Sequence, residues 1–301
     1  MAFADLRNDF VFRRIFATHP DILRGLLNDL LDRVGDRAIQ EIEYLPSEQL
    51  PLVLGAKLSI LDVRCKDRAG TTFVVEMQLI HHQGFINRVV YNACKAYVGQ
   101  LKAGTWYDTL TDVVAVSICD FELWPDAMQH AQNLPLVPML SRWNMTEKSS
   151  GHPGLLQVQY AFLELPKLPP ARPATGAPLW AWLFVHAPEL DEVPADLRGH
   201  YREALELANQ ATFTQMDLDA YQKVKDEIQQ VFKIAEARWA EGKAEGKAEG
   251  KREALLRLLA RAKIALTDSD CARIQACTDA GTIDRWIENL IGAKSADDVL
   301  T

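Results

Sequence analysis

Hydrophobic and polar positions along the chain recur with two different periods, and the change from one to the other divides the sequence into elements. Across residues 8–32 the apolar positions Phe12, Ile15, Phe16, Leu23, Leu26, Leu27, Leu30 and Leu31 fall at helical spacing on either side of Thr18-His19-Pro20. That predicts two consecutive helices, the second begun near the proline. Residues 38–44 read as a first strand or a helix end, and Pro46 and Pro51 impose an irregular passage after them. Between Lys57 and Leu79 the period drops to two. Apolar and β-branched runs flank Lys66-Asp67-Arg68-Ala69-Gly70, so the stretch predicts two strands joined by a polar turn. In the second strand Phe73, Val75, Met77 and Leu79 take one face, which puts Glu76 and Gln78 together on the other. Pairing about that turn sets Asp62 opposite Glu76, and directly opposed residues have Cβ atoms roughly 4.5–5.5 Å apart.

The helical period returns at residues 85–102, where Phe85, Val89, Ala93, Ala96, Tyr97 and Leu101 form an apolar stripe and Arg88, Tyr91 and Lys95 share a polar one. That polar stripe either holds phosphate beside the hairpin or is solvated surface. His81-His82-Gln83-Gly84 before it reads as a bend, its histidines as loop residues. Residues 112–119 are almost continuously apolar, as in a central strand buried on both faces. A long connection, 126–154, separates them from a further strand at 157–165. After the proline-rich passage 166–178, Leu179-Trp180-Ala181-Trp182-Leu183-Phe184-Val185 opens a helical part, with helices at 197–211 and 217–238. The latter runs into the repeat Glu241-Gly242-Lys243-Ala244-Glu245-Gly246-Lys247-Ala248, read as a solvated helical linker or as a small-residue stripe for self-association. Residues 254–266, 269–277 and 282–291 predict three more helices, and Thr267-Asp268-Ser269-Asp270 looks like a helix start.

Composition narrows the class. The 301 residues are 48% hydrophobic and 25% charged, an ordinary globular balance. No basic start with an apolar block and no long uncharged run is present, so neither an export signal nor a membrane span is expected. Five cysteines without a Cys-x-x-Cys pair argue against a disulfide framework and point to a reducing cytoplasm. A net charge of −8 weighs against nucleic-acid binding, since phosphate contacts supply most non-specific affinity. A local basic patch or a bound cation offsets it.

The candidate chemistry lies in the hairpin. Two carboxylates held close repel unless a proton or a cation sits between them. A hard divalent ion such as Mg²⁺, bound through one or two carboxylates and substrate phosphate, suits Asp62 and Glu76, with Mn²⁺ able to substitute.

Asp62 followed across the hairpin by Glu76-Met77-Gln78 resembles the PD-(D/E)XK nuclease core, with Gln78 where that family usually has Lys. More narrowly, Leu61-Asp62-Val63 and Val75-Glu76-Met77-Gln78 resemble the recombination-promoting nuclease or transposase branch. Asn8-Asp9-Phe10-Val11-Phe12-Arg13-Arg14-Ile15-Phe16 is similar to that family's first helix, and Glu164-Leu165-Pro166-Lys167 to the end of its later strand. The resemblance covers roughly residues 8–190. It implies an α/β fold with a restriction-endonuclease-like mixed sheet flanked by helices (1–190), then a helical extension carrying the repeat (191–253) and a small helical module (254–301). It implies a metal-dependent DNA endonuclease tied to recombination or mobile elements, with Asp62, Glu76 and Gln78 catalytic and Asp62 and Glu76 on the metal. Asp9 either reaches that metal or complements its helix dipole. Arg88, Tyr91 and Lys95 would contact DNA. The alternative is an inactive scaffold that keeps the fold and assembles through its C-terminal helices.

Overall fold

The computed structural model describes residues 2–49, 59–101, 104, 106–262, 264–290, 293 and 295–301, without the side chains of 49, 59, 60, 232 and 235–247. Lys57, Lys102 and Ile291, each at the edge of an expected element, lie outside the described residues, as does Pro51. The chain divides into two units, Met1–Val224 and Lys225–Thr301.

In the first unit, α1 (Asp9–Phe16) begins where Asn8 accepts the backbone N–H groups of Phe10 and Val11. Pro20 opens α2 (Pro20–Leu31), which ends at Asp32 in the left-handed region. There follow β1 (Ile42–Tyr44), β2 (Glu48–Gln49), β3 (Ser59–Ile60), β4 (Val63–Asp67), β5 (Thr72–Gln78) and α3 (Phe85–Val98). Then come β6 (Val113–Cys119), α4 (Asp126–Ala131), β7 (Leu140–Thr146), β8 (Pro153–Glu164), α5 (Gly176–His186), α6 (Gly199–Leu207) and the start of α7 (Gln215–Arg261). The six-stranded sheet has the order β1-β4-β5-β6-β8-β7 and is mixed, with β5, β6 and β8 parallel and the outer pairings antiparallel. This is the helix-flanked α/β sheet that the sequence implied.

The sheet separates two cores. Phe73, Val75 and Met77 of β5, with Val114, Val116 and Ile118 of β6, face α1, α2, α5 and α6. Val74, Val113 and Ala115 face α3 through Phe85, Val89, Ala93 and Ala96. Every residue of β6 is buried, as its apolar run requires.

Three expectations need correction. The 126–154 connection contains α4 and an edge strand, β7, hairpinned to β8. Ser59 and Ile60 pair with β2 in a separate two-stranded sheet, so the β4–β5 hairpin begins only at Val63. The helix expected to reach 102 ends at Val98, with Gly99 as its cap. The first unit's larger core includes Leu197, Ala204, Leu205, Ala208 and Phe213.

Gly25 marks a close approach of backbone and ring. A Cβ there would lie 2.5 Å from Cγ of His200, whose ring stacks on Trp180 at 5.5 Å. Gly→Ala inside a helix normally stabilises by up to about 1 kcal/mol. Here Gly25→Ala is expected to destabilise by about 1–3 kcal/mol through overpacking, and Gly25→Ala with His200→Ala to recover most of it, both read by urea denaturation.

The second unit contains the remainder of α7, α8 (Asp268–Ala276), α9 (Ala280–Asn289) and α10 (Ala296–Val299). The backbone of α7 is helical through the Glu-Gly-Lys-Ala repeat. Leu255, Leu259, Ile274, Ile283, Trp286 and Val299 form a core of their own. Thr267 and Asp270 make a reciprocal capping box at the expected start of α8. Among the described residues no helix is long and apolar enough to cross a membrane.

Candidate active site

The hairpin register sets the site. Val63 pairs with Val75 and Arg64 with Val74, so Asp62, at a bend just before β4, comes next to the level of Glu76 in β5, whose side chain meets α3. The bend turns the Asp62 side chain into the ladder. Its Oδ2 accepts the N–H of Met77 at 2.8 Å. Its Oδ1 accepts from Nη2 of Arg13, on α1, at 3.0 Å. The Asp62 and Glu76 side chains are 10% and 8% exposed, so both carboxylates sit in a largely water-poor pocket.

Two residues of α3, one helical turn apart, hold Glu76. Asn92 donates to Oε1 at 2.8 Å, and Nη2 of Arg88 lies 3.5 Å from Oε2. The same Arg88 nitrogen donates to Oε1 of Gln78, while Nε2 of Gln78 donates to the carbonyl of Met77 at 2.7 Å. Gln78 carries no charge, but it fixes a guanidinium beside Glu76. Positive charge thus enters from α3, at the end of the strand where the usual Lys would stand.

Burial, the largest influence, pushes the Glu76 carboxyl above the usual range; Arg88 and Asn92 oppose the shift, and Asp62 adds to it. An acid whose folded-state pKa is raised binds more protons folded than unfolded, so stability falls as pH rises through the window between those values. Glu76→Gln removes that loss. In metal-free buffer the variant is expected to melt a few degrees above wild type at pH 8, where about 1 kcal/mol corresponds to roughly 2–4 °C. The gain should vanish near pH 4, below the ordinary Glu pKa of about 4.3; melting curves at the two pH values read it.

The other expected residues are placed as follows. Asp9, 52% exposed in the first turn of α1, lies 3.9 Å from Nη2 of Arg13, so Arg13 stands between Asp9 and Asp62. Tyr91 is exposed, and Nζ of Lys95 sits 5.7 Å from its ring centre. Lys95 is buried rather than solvated, and burial pushes its pKa down. His81 packs edge-on against Phe121 and His82 against Phe85, as loop residues do. Among the described residues no group of three or more His, Cys, Asp or Glu is arranged around a metal site.

A family model of PD-(D/E)XK nuclease family transposases matches residues 6–237. The chain belongs to that family. No curated protein and no solved structure matches it significantly. The matched span begins just ahead of α1 and includes the whole mixed sheet and α3. Membership in the PD-(D/E)XK nuclease family transposases associates the chain with nuclease-type hydrolysis and with mobile elements in general.

Sequence reasoning did not single out Arg13 or Asn92. Asn92 had a usable signal, because it lies four residues after Arg88 and is a polar residue on the buried side of α3. Arg13 had a weaker one, its position one turn after Asp9.

Proposed function

We propose that this transposase-family nuclease is a Mg²⁺-dependent DNA endonuclease whose centre is the Asp62–Glu76 pair. The observation that carries the reading is the pair of nearly buried carboxylates that flank the Val63–Val75 pairing of the hairpin, Asp62 before Val63 and Glu76 after Val75. Asp62 and Glu76 supply hard oxygen donors, and a site of this kind draws its remaining ligands from waters and substrate phosphate. When bound, the divalent ion polarises the scissile phosphate and lowers the pKa of the attacking water. Asn92 holds the Glu76 carboxylate in a fixed orientation, and Gln78 does the same for Arg88, whose planar fork suits a phosphate oxygen. Tyr91, exposed one turn along α3, would contact the DNA backbone. Lys95, being buried, is left out of the phosphate-binding set.

A second reading is favoured by one feature: each carboxylate already has an arginine beside it. That neutralisation, with a net charge of −8, suits a catalytically silent scaffold assembled through its C-terminal helices. Plasmid nicking separates the two. Mg²⁺-dependent, EDTA-sensitive nicking by wild type and none by Asp62→Ala supports the nuclease. No nicking by either protein favours the scaffold, and equal nicking by both assigns the activity to a contaminant.

A further inference from the structure

Four carboxylate oxygens line the candidate centre, and their partners fall into two kinds. Oδ2 of Asp62 is held by the Met77 backbone and Oε1 of Glu76 by buried Asn92. Neither partner moves without disturbing the sheet or α3. Oδ1 of Asp62 and Oε2 of Glu76 face guanidinium groups, those of Arg13 and Arg88. These two oxygens are the ones open to exchange for a metal ion.

The two arginines are not equally free to leave. Arg88 is also bonded to Gln78, and its Nε is buried. Arg13 is 47% exposed. The core contacts of α1 are made by Val11, Phe12, Ile15 and Phe16, and Arg13 is not among them. Nor would the withdrawn guanidinium be isolated, since Asp9 lies 3.9 Å from the same nitrogen.

We propose that Arg13 is a built-in counter-ion that competes with the divalent ion for Oδ1 of Asp62, occupying that oxygen in the metal-free protein and shifting towards Asp9 when the ion binds. The inference rests on the metal-site reading above and adds a residue that sets its affinity. With two carboxylates and two guanidinium groups the centre is formally balanced, so an incoming dication must either displace a cation or carry excess charge into a water-poor pocket. Displacing Arg13 is the less costly route. Its presence weakens ion binding by the free energy of the Arg13–Asp62 pair, a coupling of the ordinary kind between competing ligands.

Titration of the full-length, metal-free protein with Mn²⁺ in a calorimeter tests this. Arg13→Gln and Arg13→Met, at a half-exposed position, are expected to bind Mn²⁺ about 5–10-fold more tightly than wild type. Arg13→Lys, which keeps the charge, should bind within about twofold of wild type. Asp62→Asn and the Asp62→Asn/Arg13→Gln double variant should show no binding. Equal or weaker Mn²⁺ binding by both uncharged Arg13 variants, with binding still lost in Asp62→Asn, overturns the counter-ion role and leaves the metal site standing. Tight binding that survives in the double variant places the ion elsewhere and overturns both, as does an absence of binding in wild type and Arg13→Gln alike.

Discussion

Asp62→Asn and Glu76→Gln are each expected to lower Mg²⁺-dependent DNA cleavage by about 10³-fold, with the fold intact. Each substitution replaces an anionic oxygen donor by an amide of nearly the same shape, so packing is kept while the charge that binds the cation is halved. Charge stabilisation of several kcal/mol at the reacting phosphate corresponds to about three decades in rate. The two substitutions differ in their effect on the protein itself. Glu76→Gln relieves a carboxyl whose pKa burial has raised. Asp62→Asn leaves Arg13 without its nearly buried partner, while an amide oxygen can still accept the Met77 N–H. Matched single-turnover rates, with circular dichroism to verify folding, distinguish lost chemistry from lost structure.

Trp180→Ala is expected to have the largest effect on stability. Trp180 is fully buried in the core opposite α3 and packs against the rings of Phe16, Phe184, His200 and Tyr201. Its Nε1 donates to Oδ2 of Asp29 at 2.9 Å, an oxygen that also accepts from Tyr201 OH at 2.6 Å. Truncation removes the aromatic volume and one of the donors to that carboxylate, at a cost of about 3–5 kcal/mol. For a unit of this size that corresponds to a loss of roughly 6–20 °C in melting temperature. Trp180→Phe, which keeps most of the volume and loses the N–H, should cost clearly less. Thermal unfolding of the two variants against wild type reads both effects.

Much of the site was legible because its determinants are local. A period of two and a polar turn are enough to expect Asp62, Glu76 and Gln78 on one face; the Val63–Val75 pairing has the expected register, with Asp62 at a bend just before it. Pro20 and its neighbours likewise mark the break between α1 and α2. The contacts that complete the centre are not local. Arg13 reaches Asp62 from a helix 49 positions earlier, and no periodicity in either segment encodes that meeting. The edge strand β7 was hidden for another reason: most of its residues are exposed, so it lacks the apolar signature of a strand, and Pro135 and Pro138 precede it. The stretch after the proline-rich passage reads only as the opening of a helical part, yet α5 and α6 bury Trp180, Phe184 and Leu205 in the same core as α1 and α2. Solvated surface was one reading of Lys95 because a helical wheel shows which side a residue takes, not how deeply it is buried there.

The central claim is that the acids at 62 and 76 share one divalent ion. A crystal of the full chain soaked in Mn²⁺ tests it most directly, through the anomalous difference map. The account predicts a peak within ordinary Mn–oxygen distance of both Oδ1 of Asp62 and Oε2 of Glu76, with the Arg13 guanidinium moved off Asp62. A peak bound to only one of these carboxylates, or a map with none in the pocket at saturating Mn²⁺, would contradict it.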